Sequence, residues 1–539
     1  MNPEHNSKRR IAVICVVLSI SLYILLSWNI PIEWSNVQKV PFMSNQSFRV
    51  NVKSVIPQLS VAKALNIDPG REVNAFNNKT KPTMAIYELQ VDNNTTADHN
   101  ADYPSLRVQN TYLEVQPQFQ LVHGEEDIWA YSAFYEYSNP SNHKPGLRVI
   151  CIFSTDPDHY GMIRKIVRRL VMPTFHLIYQ NGTTDRLPGR FDRLAFDGRK
   201  HRQLGVMWAG VHYHELILEC DLEPHQKPTY VAFSWPSNET LSENIRISYP
   251  DLTYKRRITT CYAVFFGNYD NVNRLQSNIE YDLTMGSEHI YLYNMSVGPD
   301  VDKMLRFYVE RGVLTVLPME HKFAHQMYYQ GQQIALTDCH TRNRYTSTFV
   351  ALHDSDEYFL PTQHSSWPEL LNHLEQNYKN RNESADPIAA FSFQHALYDK
   401  NPPNDSQWSQ IQHDLSLTDN LMNFIKKYKV ELFLEMTKGH FWGFPRRQKT
   451  IFRPDLVIHP GTHYAEVRVA NTTDLKVNNT LAHLAHHRHL HEQGTFHVHP
   501  QPFYQRYLKR FRQARKDLFC KYTKFRLRCE KLKRKQNLT

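Results

Sequence analysis

From residue 256 onward, short apolar runs alternate with longer amphipathic ones. TCYAVFFGN (from Thr260), EHIYLYN, VLTVLP and STFVALH are rich in β-branched and aromatic residues and predict four buried strands. Between them, 271–285, VDKMLRFYVERG and QQIALTDCHTRNRYTS read as helices, the second ending at Gly312. Strands alternating with helices predict a right-handed, largely parallel α/β sheet. Ligands of such sheets bind beyond the carboxyl ends of the strands. The fourth strand runs straight into Asp354-Ser355-Asp356-Glu357, so chemistry is expected there first.

Upstream the pattern differs. Between 106 and 255, runs such as WAYSAFYEY, LRVICIFS, HELILEC and TYVAFSW are separated by turn-rich NPSNHKPG and EPHQKP, which predicts a small β-rich, antiparallel module. Its simplest role is packing against the next domain; carbohydrate binding is the alternative. Residues 31–105 are Asn-rich, punctuated by proline and without period, and read as a stem. The run IAVICVVLSISLYILLSW opens segment 11–30, and its helix would reach about 27 Å. Lys8, Arg9 and Arg10 precede it, so 1–10 is expected in the cytosol, 11–30 as a transmembrane signal anchor, and the rest in the lumen. A cleaved signal peptide is the rival, but no small-x-small site closes the run.

Twelve Asn-x-Ser/Thr sequons between Asn45 and Asn537 fit a secretory glycoprotein. Of seven cysteines, Cys15 lies in the anchor, and the other six form an even set suited to disulfides in an oxidising lumen. Their pairing is open. Cys520 and Cys529 stand about 13 Å apart along a helix, too far for a bridge.

At 539 residues the chain exceeds one compact core. Its net charge of +10 invites a nucleic-acid reading. However, 14 of the 63 basic residues lie between Gln505 and Gln536, against Asp517 and Glu530 alone. The remainder is nearly neutral, so no nucleic-acid partner is expected. Within 505–539, Leu508, Phe511, Ala514, Leu518 and Tyr522 recur three or four apart. This predicts a basic amphipathic helix, packed by its apolar stripe with its basic face in solvent. Binding of that face to anionic glycans or lipid headgroups is the alternative.

Two aspartates one residue apart beyond a strand project in similar directions. Hard oxygen ligands suit Mg²⁺ or Mn²⁺, which bind one or two carboxylates plus substrate phosphates. In a secretory enzyme the obvious phosphate carrier is a nucleotide sugar. The rival is a solvated acidic loop.

Several ordered motifs resemble glycosyltransferase family 92. Ile279-Glu280-Tyr281 with Met285-Gly286 is similar to the family's "ieY…lG" helix, and Tyr308 with Gly312-Val313 to its "Y…G-v" turn. Gln333, Asp338-Cys339 and Arg342 resemble "Q…DC…R"; Phe349 to Pro361 resembles "fiDlDEF-xP". Lys449 to Pro454 resembles "K-s-I-v-r-P", Gly461-Thr462-His463 "G-x-H", and His486-His487-Arg488 "HYR", with His487 where tyrosine is usual.

The resemblance implies a GT-A-like (Rossmann-like) catalytic domain over 256–504 in a type II Golgi membrane protein. It implies a UDP-sugar donor, usually UDP-galactose, with Mn²⁺ and inversion, and a glycan acceptor such as an N-glycan core fucose or galactose. Asp354 and Asp356 carry over as the metal and diphosphate site, with Glu357 orienting them. His463 carries over as a third metal ligand or diphosphate contact, against a structural histidine. Inversion also needs a general base, for which Asp399 and Glu435 are the candidates. Trp442 is read as a core aromatic, with sugar stacking as its alternative. Asp338 and Arg342 form an i,i+4 pair on a helix surface. The seven histidines between His483 and His499 are read as solvated loop residues. Rival functions are the same fold with another UDP-sugar, and a catalytically silent luminal glycan-binding glycoprotein.

Overall fold

The computed structural model describes residues 117–522 except 124–127, 140–141, 155–171, 192–212, 237–239, 254, 322–323, 382–385, 435, 489–493, 497 and 499–501. The predicted cytosolic tail, anchor and stem therefore lie outside the described residues. Among those described, no helix is long and apolar enough to cross a membrane.

The β module contains β1 (Gln120–His123), β2 (Ile128–Glu136), β3 (Gly146–Ser154), β4 (Thr174–Ile178), β5 (Thr184–Pro188), β6 (Arg190–Phe191), β7 (Tyr213–Asp221), β8 (Tyr230–Ser234) and β9 (Ile245–Ser248). Their order is β5-β4-β8-β9-β2-β3-β7-β6, with β1 paired to β2. Described pairings are antiparallel apart from β2 with β9. Alternation along β3 splits its side chains between two cores. Val149 and Cys151 join Leu216 and Leu218 inside the module, whereas Ile150 and Ile152 join Cys261, Tyr293 and Val350 of the following domain. The module thus shares a core with its neighbour.

That domain begins with β10 (Arg256–Phe265), β11 (His289–Asn294), β12 (Leu314–Pro318) and β13 (Ser347–His353), all mutually parallel. Helix α1 (Val272–Met285) is capped by the Asn271 side chain and stops at Gly286, whose φ of 105° favours glycine. Helix α2 (Pro299–Glu310) starts with proline in its first turn, and α3 (Gln332–Asn343) leads into β13. These seven elements are the ones the hydrophobic pattern predicts.

Beyond β13 the chain continues with β14 (Glu357–Pro361), β15 (Ile388–Phe393), β16 (His395–Tyr398), β17 (Thr437–Phe441), β18 (Lys449–Phe452), β19 (Val457–Pro460), β20 (Ala465–Arg468), β21 (Thr473–Lys476), β22 (Ala482–His487) and β23 (Thr495–Phe496). The main sheet runs β12-β11-β10-β13-β18-β15-β21, with β18 antiparallel to both neighbours. It is largely parallel, as expected, with β18 alone running against the other six strands. A second sheet runs β14-β22-β16-β17-β23. In the main sheet, progression reverses between β10 and β13, the topological switch point where open α/β sheets bind ligands.

Cys261 on β10 and Cys339 on α3 form a disulfide, closing a separation of 78 residues. Cys151 and Cys220 are instead buried free thiols. They sit on adjacent strands, but Cys151 pairs with Leu216 and Cys220 with Leu147, so they cannot meet. The expected fully paired set of six is corrected on that ground. Cys520 is also disulfide-bonded.

The C-terminal helix Tyr504–Tyr522 packs along α1 and α2 and buries Tyr507, Leu508, Phe511 and Ala514; of the predicted stripe, Leu518 is half-buried and Tyr522 is exposed. Its basic residues are not all left to solvent. Arg506 donates to the carbonyls of Thr284 (2.7 Å) and Ser365 (2.6 Å), Arg515 to Gln276 (2.7 Å), and Arg510 approaches Glu280 (3.5 Å). Lys509, Arg512 and Lys516 remain exposed.

Buried ion pairs fasten the module to the α/β domain. Arg344 meets Glu136 at 2.6 Å, and His459 meets Glu215 at 3.2 Å. Burial disfavours the imidazolium, but the charge and hydrogen bond of Glu215 outweigh it and raise the His459 pKa. Its stabilisation is therefore complete below about pH 6.5 and is lost as pH rises through the folded-state value. In thermal unfolding across this range, His459→Gln is expected to flatten the decline of the melting temperature with pH. A slope unchanged from wild type would contradict this linkage.

Candidate active site

β13 and β14 belong to different sheets, and Asp354-Ser355-Asp356 is the joint between them. Packing beneath fixes the joint. His353 is fully buried, with Nδ1 at 3.0 Å from the Asp354 carbonyl and Nε2 at 3.2 Å from Asp282 of α1. Asp282 also accepts from the Tyr262 hydroxyl of β10 at 2.6 Å, and Asn278 of α1 donates to the Glu357 carbonyl at 3.1 Å. The acidic turn is thereby tied to the first strand and helix at the switch point.

Its carboxylates have different surroundings. Glu357 is buried and accepts the Asp354 backbone N–H at 2.9 Å. Lys449, only 2% exposed in its side chain, lies 3.0 Å from Asp354 Oδ2 and 3.2 Å from Glu357 Oε2. Gln332, at the start of α3, donates to Asp354 Oδ1 at 3.2 Å. Burial opposes the Lys449 charge, but the two carboxylates prevail and raise its pKa. Burial likewise pushes Glu357 up; Lys449 pulls it back, the neighbouring aspartates oppose that, and the net direction is upward.

Asp356, 20% exposed in its side chain, faces His486 Nε2 at 3.5 Å. Burial alone would raise its carboxyl. Hydrogen bonding and charge from His486, with Arg274 and Arg488, instead hold it well below the usual range. His486 Nδ1 meets His395 Nε2 at 2.9 Å, and burial lowers the His395 pKa to about 3, with His486 adding to the effect. Arg274 of α1 is paired with buried Glu431, which also accepts from the Tyr358 hydroxyl at 3.2 Å.

His463 sits in the turn between β19 and β20, with Nδ1 3.3 Å from the Gln448 carbonyl. Donation from Nδ1 puts the lone pair of the neutral ring on Nε2. Burial, then the charge of Lys449, lower its pKa to about 4, so the ring is neutral at physiological pH. Asp399 follows β16 directly, and strand alternation continues it on the face of His395 and Leu397. Leu397 pairs with His486 across the sheet, so Asp399 lies at the edge of the same front. The Asp399 carboxylate accepts from Asn401 at 2.9 Å. Glu435 lies outside the described residues.

Three sequence readings are corrected. His483, His486 and His487 are buried in β22 rather than solvated in a loop. His486 faces the acidic turn, whereas His487 packs on Tyr358 and Tyr398, and His483 stacks on Tyr398. Asp338 and Arg342 do pair at i,i+4, but buried, with Asp338 also accepting from the Tyr293 hydroxyl at 2.6 Å. Trp442 is half-buried rather than core. Sequence reasoning missed Lys449, His486, Arg274, Glu431 and Gln332. The signals available were Lys449 in KTIFRP and the period-two pattern of AHLAHH.

Among the described residues, no three His, Cys, Asp or Glu side chains converge closely enough to hold a metal by themselves. The donor set still fits a hard divalent ion. Asp354 is 34% exposed at its side chain, Asp356 lies one residue on, and His463 offers a neutral nitrogen. Such ions use one or two carboxylates and complete their shell with substrate phosphates and water.

The glycosyltransferase family 92 profile matches residues 256–526, half of the chain, and the chain belongs to that family. The match extends through the C-terminal helix, beyond the boundary expected at 504. A "Beta-1,4-galactosyltransferase galt-1" of Caenorhabditis elegans is 29% identical over 119 residues, 22% of this chain and 28% of that protein. The alignment thus spans little more than a quarter of that relative's length. Among solved structures, glucosyl-3-phosphoglycerate synthase of Mycobacterium tuberculosis is 12% identical over 49% of this chain and 80% of its own, with a TM-score of 0.22. The same synthase with Mn²⁺, UDP and glucosyl-3-phosphoglycerate is 10% identical over 49% and 79%, with a TM-score of 0.20. At those TM-scores the likeness carries no weight for fold or function.

Proposed function

We propose that this chain is a GT-A-like glycosyltransferase that moves a hexose, galactose first, from a UDP-sugar to a glycan hydroxyl with inversion. One observation carries the reading: in a family 92 chain, the acidic turn stands at the switch point of the main sheet, with the side chains of Asp354 34% and Asp356 20% exposed. The name of the nematode relative supports galactose as the first donor to test. The apolar run at 11–30 and the sequons support a type II Golgi membrane protein with this domain in the lumen.

Asp354, Asp356 and His463 would hold Mn²⁺, which would supply charge neutralisation on the departing diphosphate. Glu357 and Lys449 keep Asp354 oriented, and His486 does the same for Asp356. In the transfer, the acceptor oxygen bonds to C1 as the C1–phosphate oxygen bond breaks and UDP leaves. The acceptor hydroxyl's proton passes to a carboxylate, for which Asp399 is the described candidate. In a panel of UDP-galactose, UDP-glucose and UDP-GlcNAc with fucosylated or galactosylated glycans, the full-length protein is expected to release UDP fastest from UDP-galactose. Transfer from none of them would defeat the proposal.

A further inference from the structure

We infer that the segment Phe441–Arg447 is the acceptor-sugar subsite, with the Trp442 indole as platform for one pyranose and the Arg447 guanidinium as hydrogen-bond donor to its oxygens. The inference rests on the transferase reading above and adds the residues that recognise the acceptor.

The placement follows from the second sheet. β17 ends at Phe441, whose ring packs edge-on against His483 at 5.2 Å on the core side. The next residue turns the other way. The Trp442 backbone N–H donates to the His395 carbonyl at 2.9 Å, and its indole meets the His395 ring edge-to-face at 5.2 Å. His395 contacts His486, which faces Asp356, so the indole lies two side chains from the acidic turn. It lies on the β16–β17 side of that turn, so an acceptor bound there would present its hydroxyl to the acidic turn where the proposed function seats the donor diphosphate.

The local chemistry suits a carbohydrate. Trp442 stays half-buried where neighbouring large aromatics such as Tyr398 and Phe393 are buried. The Arg447 guanidinium lies over the indole at 5.3 Å, and Lys476 lies over Phe444 at 5.5 Å. Arg447 itself is exposed and holds a φ of 48°, a left-handed conformation that costs a non-glycine residue energy. An indole face accepts the C–H face of a pyranose, and a guanidinium fork donates to paired oxygens. The segment stacks both groups at the edge of the proposed reaction centre, and the exposed Arg447 side chain moves off the indole face to admit the sugar and donate to its oxygens.

The test compares wild type with Trp442→Ala, Trp442→Phe and Arg447→Ala, using oligosaccharides ending in fucose or galactose as acceptors. Trp442→Ala should raise the acceptor KM about tenfold or more, Trp442→Phe should restore most of it, and Arg447→Ala should raise it severalfold. The UDP dissociation constant measured with Mn²⁺ should stay within about twofold of wild type, which a general loss of structure would not permit. If Trp442→Ala does not fold, Arg447→Ala decides alone, since Trp442→Phe is expected to stay near wild type. Wild-type transfer with an unchanged acceptor KM in the folded variants would overturn the subsite and leave the transferase reading standing. A wild-type protein that transfers to no acceptor would overturn both.

Discussion

Asp356→Asn lowers sugar transfer by about 100- to 1,000-fold, the usual cost of removing one preorganised electrostatic group from a reaction centre. The substitution keeps the side chain's shape and removes its charge. Asp356 is held ionised by His486, Arg274 and Arg488 even though burial opposes it, so a neutral amide there discards a charge that the surrounding residues are arranged to keep. The backbone should not move, because the turn is anchored through His353, Asn278 and the Asp356 carbonyl, which accepts from the His487 N–H at 2.9 Å. A melting temperature near that of wild type with transfer reduced is the expected pair of results, read by calorimetry and UDP release. Near wild-type transfer would remove Asp356 from the reaction centre.

Lys449→Met is expected to destabilise the protein by about 3–5 kcal/mol, the range for breaking a buried ion pair from one side. The methionine fills similar space but leaves buried Glu357 without its nearest cation and Asp354 without a partner at 3.0 Å. Neutralising the orphan should reverse part of the loss, so Lys449→Met/Glu357→Gln should be more stable than the single variant. Denaturant midpoints measure both. A single variant as stable as wild type would mean that Lys449 is dispensable to the joint. A double variant less stable than the single one would mean that the pair is not what Lys449 serves.

Local pattern carried a large part of the fold. The elements from β10 to β13 each show their own period, and their carboxyl ends could be located by counting strands. The acidic pair was legible for the same reason, since it follows a strand without interruption. The second sheet was not. β16, with four residues, and β22, with six, are short and interrupted by long connections, and their pairing joins His395 to Leu484 and Leu397 to His486 across almost ninety residues of chain. No window of sequence contains that information. The same limit hid Lys449, which sits on β18 and reaches the turn only because β18 inserts antiparallel beside β13. The histidines of β22 were misread because the run looks polar, whereas strand alternation sends His483 and His487 into aromatic packing and His486 toward Asp356. The basic tail was half legible. Its apolar stripe was visible, but the carbonyl oxygens that receive Arg506 belong to Thr284 and Ser365, and only the fold brings them there.

The central claim is that the acidic turn binds a nucleotide diphosphate together with a divalent ion. Calorimetric titration of UDP into the full-length protein, with and without Mn²⁺, tests it most directly. Saturable binding that requires Mn²⁺ and disappears in Asp356→Asn is the predicted result. UDP binding of equal strength without the ion, or equal strength in Asp356→Asn, would contradict it.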